Sequence, residues 1–279
     1  MSEIFDARRC TLGEGPLWHP ERRQLFWFDI IEKRLLSRAG EDTFEWQFDE
    51  HVSAAGWVDR DRLLIASDTR FFLFDVERGT SEDICPLEAD NPVTRSNDGR
   101  ADPYGGFWIG TMGKQMERRA GAIYRYFRGE VRQLFNGITV SNSICFSPEG
   151  GRAYFCDTFD GHIKQVALDA LGWPIGAPDV FVDLKPEGLN PDGSVVDAAG
   201  RLWNAQWGAH RVACYDVNGA FVKAIAVGGK QASCPAFGGH HLETLFVTTA
   251  AQGLDGAADG LLYAADPGAK GQPEHRVIL

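Results

Sequence analysis

Six segments of this chain share one pattern: an apolar strand, a polar turn that often contains Asp or Gly, and a second strand rich in aromatic residues. The copies are GPLWHPERRQLFWFD from Gly15, AGWVDRDRLLIASD from Ala55, DGRADPYGGFWIGT from Asp98, SICFSPEGGRAYFCDT from Ser143, GSVVDAAGRLWNAQW from Gly193 and PAFGGHHLETLFVTT from Pro235. They recur about every 40 to 50 residues, a period typical of β-propeller blades. A third apolar strand follows most copies, as in RFFLFDV and GLLYAAD. The pattern predicts an all-β protein, a six-bladed β-propeller with four-stranded blades around a central metal-binding channel.

The composition agrees with that fold. The chain has 32 Gly, 18 Phe and 8 Trp, which favours strands joined by turns over helices. No Pro- or Ser-rich linker interrupts the repeat, so residues 1–279 are predicted to form a single domain. Either EIFDARR near the start or EHRVIL near the end could supply the strand that closes the ring. A pair of β-sandwiches is the main rival fold, but it does not explain the regular period.

Charge and cysteine usage exclude several classes of function. The net charge is −11 and no basic stripe is visible, which argues against binding to nucleic acid or to an anionic membrane. No segment is apolar enough to span a bilayer, and the first residues lack the apolar stretch of a secretion signal. The six cysteines form no CxxC pair and are predicted to be free and mostly buried. A cytoplasmic protein, monomeric or a small homo-oligomer, is the expectation.

One position upstream of each turn carries unusual polar residues. Counted back from the turn at the same offset, the six copies place there Glu14, Ala54, Asn97, Asn142, Asp192 and Cys234. We call this position the slot. Asp and Asn before a strand are commonly turn formers or caps, but turn chemistry alone does not explain four side-chain oxygens at one shared offset.

The slot predicts a metal site. The first strand of each propeller blade lines the channel, so Glu14, Asn142 and Asp192, with Asn97 beside them, should converge near the axis. Carboxylates brought together repel unless a cation joins them. Oxygen ligands suit Ca²⁺, Mg²⁺ or Mn²⁺ better than Zn²⁺, so one divalent metal ion is expected, of open identity.

Four motifs resemble the SMP-30/gluconolactonase/regucalcin family: LGEGPLWHP, SNDGRADPYGGFWIGTM, SNSICFSPEGGRAYFCDT and NPDGSVVDAAGRLWNAQWG. The resemblance runs from about Leu12 to Ala265, and the last motif looks most like bacterial aldonolactonases. It implies a six-bladed propeller with one divalent metal, and hydrolysis of sugar lactones.

The resemblance also implies roles for individual residues. It assigns the metal ligands as Glu14, Asn142 and Asp192, and it makes Asp192 the general base. Arg95 and Asn97 match residues that contact the sugar, and Glu117 matches a further substrate contact in a loop that varies. Two neighbours depart from the family pattern: Ser143 stands where Gly is common, and Ser96 where a bulkier residue is common.

The expected reaction is hydrolysis of an aldonolactone, such as a glucono-, galactono-, xylono- or arabinonolactone, to the aldonic acid. No G-x-S-x-G sequence is present for a serine hydrolase. Two alternatives stay open: another metal-dependent propeller esterase or phosphotriesterase, and a non-catalytic calcium-binding propeller. Among other polar and aromatic residues, Trp203 is expected to pack between blades and Trp207 to face the sugar. His19 and His210 have no assigned role, and His240 and His241 are expected to lie in a turn.

Overall fold

The computed structural model describes residues 2–279, and 24 strands account for most of them. In chain order the strands are β1 (Glu3–Asp6), β2 (Gly13–His19), β3 (Gln24–Asp29), β4 (Arg34–Ala39), β5 (Asp42–Gln47), β6 (Val52–Trp57), β7 (Arg62–Ser67), β8 (Arg70–Asp75), β9 (Thr80–Pro86), β10 (Thr94–Ala101), β11 (Phe107–Gly113), β12 (Gly121–Phe127), β13 (Glu130–Ile138), β14 (Ser141–Phe146), β15 (Arg152–Asp157), β16 (His162–Leu168), β17 (Pro174–Asp183), β18 (Asn190–Val196), β19 (Leu202–Trp207), β20 (Arg211–Tyr215), β21 (Phe221–Ala226), β22 (Gln231–Gly238), β23 (Thr244–Ala250) and β24 (Leu262–Ala265). Two 3-10 turns, Thr158–Asp160 and Lys185–Glu187, are the only helical segments in the described part of the chain. Neither is long and apolar enough to span a bilayer.

The strands form six antiparallel sheets of four, which are the predicted blades. Five sheets run in chain order: β2 to β5, β6 to β9, β10 to β13, β14 to β17, and β18 to β21. The sixth has the order β1-β24-β23-β22, so the segment near the start of the chain completes the last blade. Of the two closing strands that the sequence allowed, EIFDARR is therefore the one used, and EHRVIL forms no strand.

The innermost strands close a ring. Each of β2, β6, β10, β14 and β18 contacts the next in the series, and β22 contacts both β18 and β2. Apolar clusters fill the space between neighbouring blades, six in all among the described residues. Burial between blades is thus the main force that holds the ring together. The six-bladed all-β prediction is confirmed.

The repeated turn aspartates have a local function. Asp197 accepts hydrogen bonds from the backbone N–H groups of Ala199 (2.9 Å) and Arg201 (3.0 Å), and Asp102 does the same for Tyr104 and Gly106. Such Asx turns fix the reversal between the first two strands of a blade. Trp203 is fully buried and donates to Asp197 (3.0 Å), so its predicted packing role is confirmed.

The remaining expectations about cysteines and histidines are also met. All six cysteines are free, and every one except Cys85 is buried. His240 and His241 lie in the turn after β22, exposed, with their ring centroids 4.3 Å apart.

Candidate functional site

A cavity of about 430 Å³ opens at the beginnings of the innermost strands. Five of the six predicted site residues line it: Glu14, Arg95, Asn97, Asn142 and Asp192. They come from four different blades, as the slot requires. The slot residues of the other two blades, Ala54 and Cys234, are buried but are not part of this lining.

The backbone is irregular at the slot. In each of the six innermost strands the pairing with the second strand shifts register at or beside this position, for example between Glu14 and Leu17 and between Asn142 and Cys145. A β-bulge bends its strand and re-aims side chains. The bulges therefore explain how polar side chains on otherwise apolar inner strands reach the cavity.

Glu14 and Asp192 are buried carboxylates without an ion-pair partner in the described residues. They are 4% exposed each, and no salt bridge includes either one. Burial, together with the charge of Asp98, raises the pKa of Glu14 to about 8. Burial and the charge of Glu14 hold the pKa of Asp192 well above its usual range. Two acids that resist ionising side by side are stabilised as carboxylates by a cation.

Asn142 contributes an amide oxygen to the lining of the same cavity. Its Nδ2 donates to Thr158 Oγ1 (2.8 Å), and its Oδ1 accepts from Asn97 Nδ2 (3.0 Å), which leaves a second lone pair on the oxygen. No three His, Cys, Asp or Glu side chains among the described residues are grouped so that they could hold a metal ion. The site in the cavity instead combines two carboxylates with one amide oxygen. Such a set fits a hard divalent cation, with open positions for other ligands.

Arg95 is a buried cation in the cavity wall. Burial lowers its pKa to about 10, so it stays charged at neutral pH. Its Nη1 donates to Ser96 O (2.8 Å) and Asn97 Oδ1 (2.7 Å). Among the described residues no hydrogen bond is made from its Nε or Nη2, so these groups can meet a ligand.

Both ends of the Asn97 amide are hydrogen-bonded within the protein. Its Oδ1 accepts from Arg95, and its Nδ2 donates to Ser141 O (2.8 Å) and to Asn142 Oδ1. It joins the arginine to the amide of the next blade, so it positions both.

Glu117 lies outside the cavity lining. It is exposed, and its carboxylate accepts from the backbone N–H of Gln115 (3.0 Å). The loop instead contributes Lys114, Gln115 and Met116 to the wall. The residues of this loop carry no strand periodicity, which is why the sequence did not single out Gln115.

The mouth of the cavity is partly apolar. Ile31, Met116, Phe159 and Trp207 line it, so Trp207 stands where its predicted role requires. His19 does not reach the cavity: it is buried at the end of β2, where its Nε2 lies 2.9 Å from Asp59 O. His210 is exposed in the turn before β20.

The two serines that depart from the family pattern connect blades. Ser143 has a left-handed backbone (φ 61°), and its hydroxyl donates to Asp192 O (2.5 Å) and accepts from Ser194 Oγ (3.0 Å). Ser96 accepts from Ser53 (2.7 Å) in the preceding blade. These hydrogen bonds hold the slot strands in register with one another.

Comparison with known proteins places the chain in a family. The family described as SMP-30/gluconolactonase/LRE-like region matches residues 12–251. A Rhizobium meliloti protein provisionally named a sugar lactone lactonase is 42% identical over 92% of this chain and 86% of its own. The L-arabinolactonase of Azospirillum brasilense is 37% identical over 97% of this chain and 90% of its own.

A solved structure agrees. The calcium-binding protein regucalcin of Agrobacterium tumefaciens superposes with a TM-score of 0.97 at 39% identity, covering 100% of this chain and 98% of the other. The chain belongs to the SMP-30/gluconolactonase/LRE-like family.

Proposed function

We propose that this protein is a lactonase that hydrolyses a sugar-acid lactone to the aldonic acid, with a divalent cation held by Glu14, Asn142 and Asp192. The observation that carries the proposal is the pair of buried carboxylates Glu14 and Asp192, neither of them in a salt bridge, in one cavity with Arg95. The lactonase names of relatives that match nearly the whole chain support the same reaction class. The calcium-binding neighbour supports the cation.

The bound cation would supply Lewis-acid polarisation of the lactone carbonyl. Asp192 is the general base: its carboxylate takes a proton from the water that attacks the carbonyl carbon. The ring C–O bond then breaks, and Asp192 returns the proton to the leaving ring oxygen. The product is one molecule, the aldonic acid. It carries a new hydroxyl group at the former ring oxygen and a carboxylic acid that ionises in solution.

The other residues orient the substrate. Arg95 offers Nε and Nη2 to the carbonyl oxygen or to a ring hydroxyl, where a charged donor stabilises developing negative charge. Asn97 holds Arg95 and Asn142 in place. The apolar residues at the mouth, Phe159 and Trp207 among them, limit water around the bound ring and offer a face for its C–H groups.

The test is a proton-release assay on glucono-, galactono-, xylono- and arabinonolactone, with spontaneous hydrolysis subtracted. The protein is stripped with a chelator and assayed alone, then with Ca²⁺, Mg²⁺, Mn²⁺ or Zn²⁺ added back. Turnover of one or more lactones that depends on added metal is expected. Activity that is unaffected by stripping would contradict the metal assignment.

A parallel arm distinguishes the rival reactions. The same preparations are given a simple aryl ester and a phosphotriester. Hydrolysis of either one without lactone turnover would move the protein to a propeller esterase or phosphotriesterase. Metal binding without turnover of any substrate would favour the non-catalytic propeller.

A further inference from the structure

The segment 271–279, here called the tail, crosses the end of the ring opposite the cavity. It is bonded to five blades through Gly271 N to Leu242 O (2.7 Å), Gln272 Nε2 to Phe146 O (2.9 Å) and Val196 O (3.1 Å), Trp57 Nε1 to Glu274 O (3.0 Å) and Ile278 N to Gly105 O (2.9 Å). Val277 is fully buried in the apolar cluster between the second and third blades. The tail therefore closes the far end of the channel.

An ion pair lies beneath the tail, inside the channel. The Arg100 guanidinium bonds the Glu274 carboxylate, and the two side chains are only 10% and 7% exposed. Between them and the inner strands remains a void of about 10 Å³, at the limit of what one water molecule fills. Water therefore does little to screen the charge of Arg100.

Arg100 belongs to the strand that builds the cavity. β10 carries Arg95 and Asn97 at the cavity end and Arg100 at the tail end, with the buried carboxylate of Asp98 between them.

Arg100 would repel a cation in the cavity if its charge were not balanced. In a poorly screened interior, a unit charge acts on a divalent cation over many ångströms. Two carboxylates oppose its charge. One is Asp98 on the same strand, and the other is Glu274, which bonds Arg100 directly and comes from the tail rather than from a blade.

We propose that Glu274 is a positioning residue of the metal site: it neutralises Arg100 at the far end of the channel and so preserves the affinity of Glu14, Asn142 and Asp192 for a divalent cation. The inference rests on the proposed function, because it presumes that site. The tail is then an electrostatic part of the site as well as a structural closure.

Calorimetric titration of the chelator-stripped protein with CaCl₂ tests the inference without a substrate. Glu274→Gln removes the carboxylate that is bonded to Arg100 and so adds one unit of net positive charge at the far end of the channel; its Kd for Ca²⁺ should rise about tenfold. Arg100→Gln leaves a negative charge instead, so its Kd should fall below that of the wild type. The double variant Arg100→Gln/Glu274→Gln carries neither charge, and its Kd should return to within about twofold of the wild type.

Gln272→Leu is the matched control. It removes two tail hydrogen bonds without changing any charge, so it should lower Tm and leave the Kd for Ca²⁺ unchanged. Melting curves of every variant show whether it is folded at the titration temperature. Where Glu274→Gln does not fold, a Kd for Arg100→Gln below that of the wild type supports the inference, and an equal or higher Kd overturns it.

The outcomes separate the two proposals. Where the wild type binds no Ca²⁺, the same titrations are run with MgCl₂, MnCl₂ and ZnCl₂. A wild type that binds none of the four cations overturns the metal site and this inference together. A wild type that binds Ca²⁺, with a Glu274→Gln variant changed by less than about threefold, overturns only the inference. Weaker binding by Arg100→Gln or by Gln272→Leu, to the same degree as by Glu274→Gln, reduces the tail to a structural role and also overturns it.

Discussion

Asp98 Oδ2 accepts a hydrogen bond from the backbone N–H of Ile144, 2.6 Å away, across the boundary between the third and fourth blades. Ile144 follows Asn142 and Ser143 in the bulge of β14. The bond therefore fixes the backbone that presents the Asn142 amide to the cavity. It makes the geometry of one blade's slot depend on a carboxylate of its neighbour.

Replacing Asp98 should expose this dependence. Asp98→Ala leaves the Ile144 N–H buried without an acceptor, which should lower the free energy of unfolding by about 1–3 kcal/mol. Asp98→Asn keeps an acceptor of the same size and removes a buried charge, so its loss should be under about 1 kcal/mol. Urea unfolding in the presence of a chelator measures both. Equal losses in the two variants would show that the hydrogen bond is not the cause.

The hydrogen bonds of the Ser143 hydroxyl should stabilise the fold by more than the strain of its left-handed backbone costs. Ser143→Ala keeps a Cβ on a left-handed backbone and loses three hydrogen bonds, so it should be the least stable form. Ser143→Gly loses the same bonds but relieves the strain, which should recover about 1 kcal/mol. The wild type should exceed both in urea unfolding. An alanine variant at least as stable as the glycine variant would contradict the argument from strain.

Asp192 should dominate the rate. Asp192→Asn keeps the shape of the side chain but removes the base, and kcat for the best lactone should fall by about 10²–10⁴-fold. Initial rates at saturating metal test this. Near-normal turnover by this variant would show that Asp192 is not the base.

Asn97→Ala offers the contrast to Asp192→Asn. Because Asn97 holds Arg95 and Asn142 rather than taking a proton, its loss should raise KM and weaken metal binding more than it lowers kcat. A fall in kcat as large as that of Asp192→Asn, with KM unchanged, would count against this division of roles.

His19 should make the fold sensitive to acid. Burial lowers its pKa below the usual 6.5, so between that value and the folded-state pKa the unfolded chain binds more protons than the folded one. Stability from this group is present above about pH 6.5 and is lost as the pH falls. His19→Gln should therefore show a shallower fall of Tm between pH 7 and pH 5 than the wild type. Parallel Tm curves for the two proteins would exclude His19 as a source of the acid sensitivity.

The sequence repeat by itself determined the number of blades and the position of the slot. The strand-turn-strand period is encoded locally, by short apolar strands and turn aspartates such as Asp197, so the six blades could be predicted directly from it. The slot was also predictable, because a closed ring brings equivalent positions such as Glu14 and Asp192 to one axis. Five cavity residues could therefore be named from periodicity, from symmetry and from the four motifs that resemble the family. They are Glu14, Arg95, Asn97, Asn142 and Asp192.

Only the tertiary structure decided the features that lie outside the repeat, namely one loop, the closing strand and the tail. The loop after β11 brings Gln115 to the cavity and leaves Glu117 outside its lining. The strand that closes the ring, and the tail that brings Glu274 to Arg100, join residues more than 170 positions apart. No local pattern encodes such pairings. They exist because the ring must close its last blade and cover the end of its channel, and only the folded chain shows which segments do so.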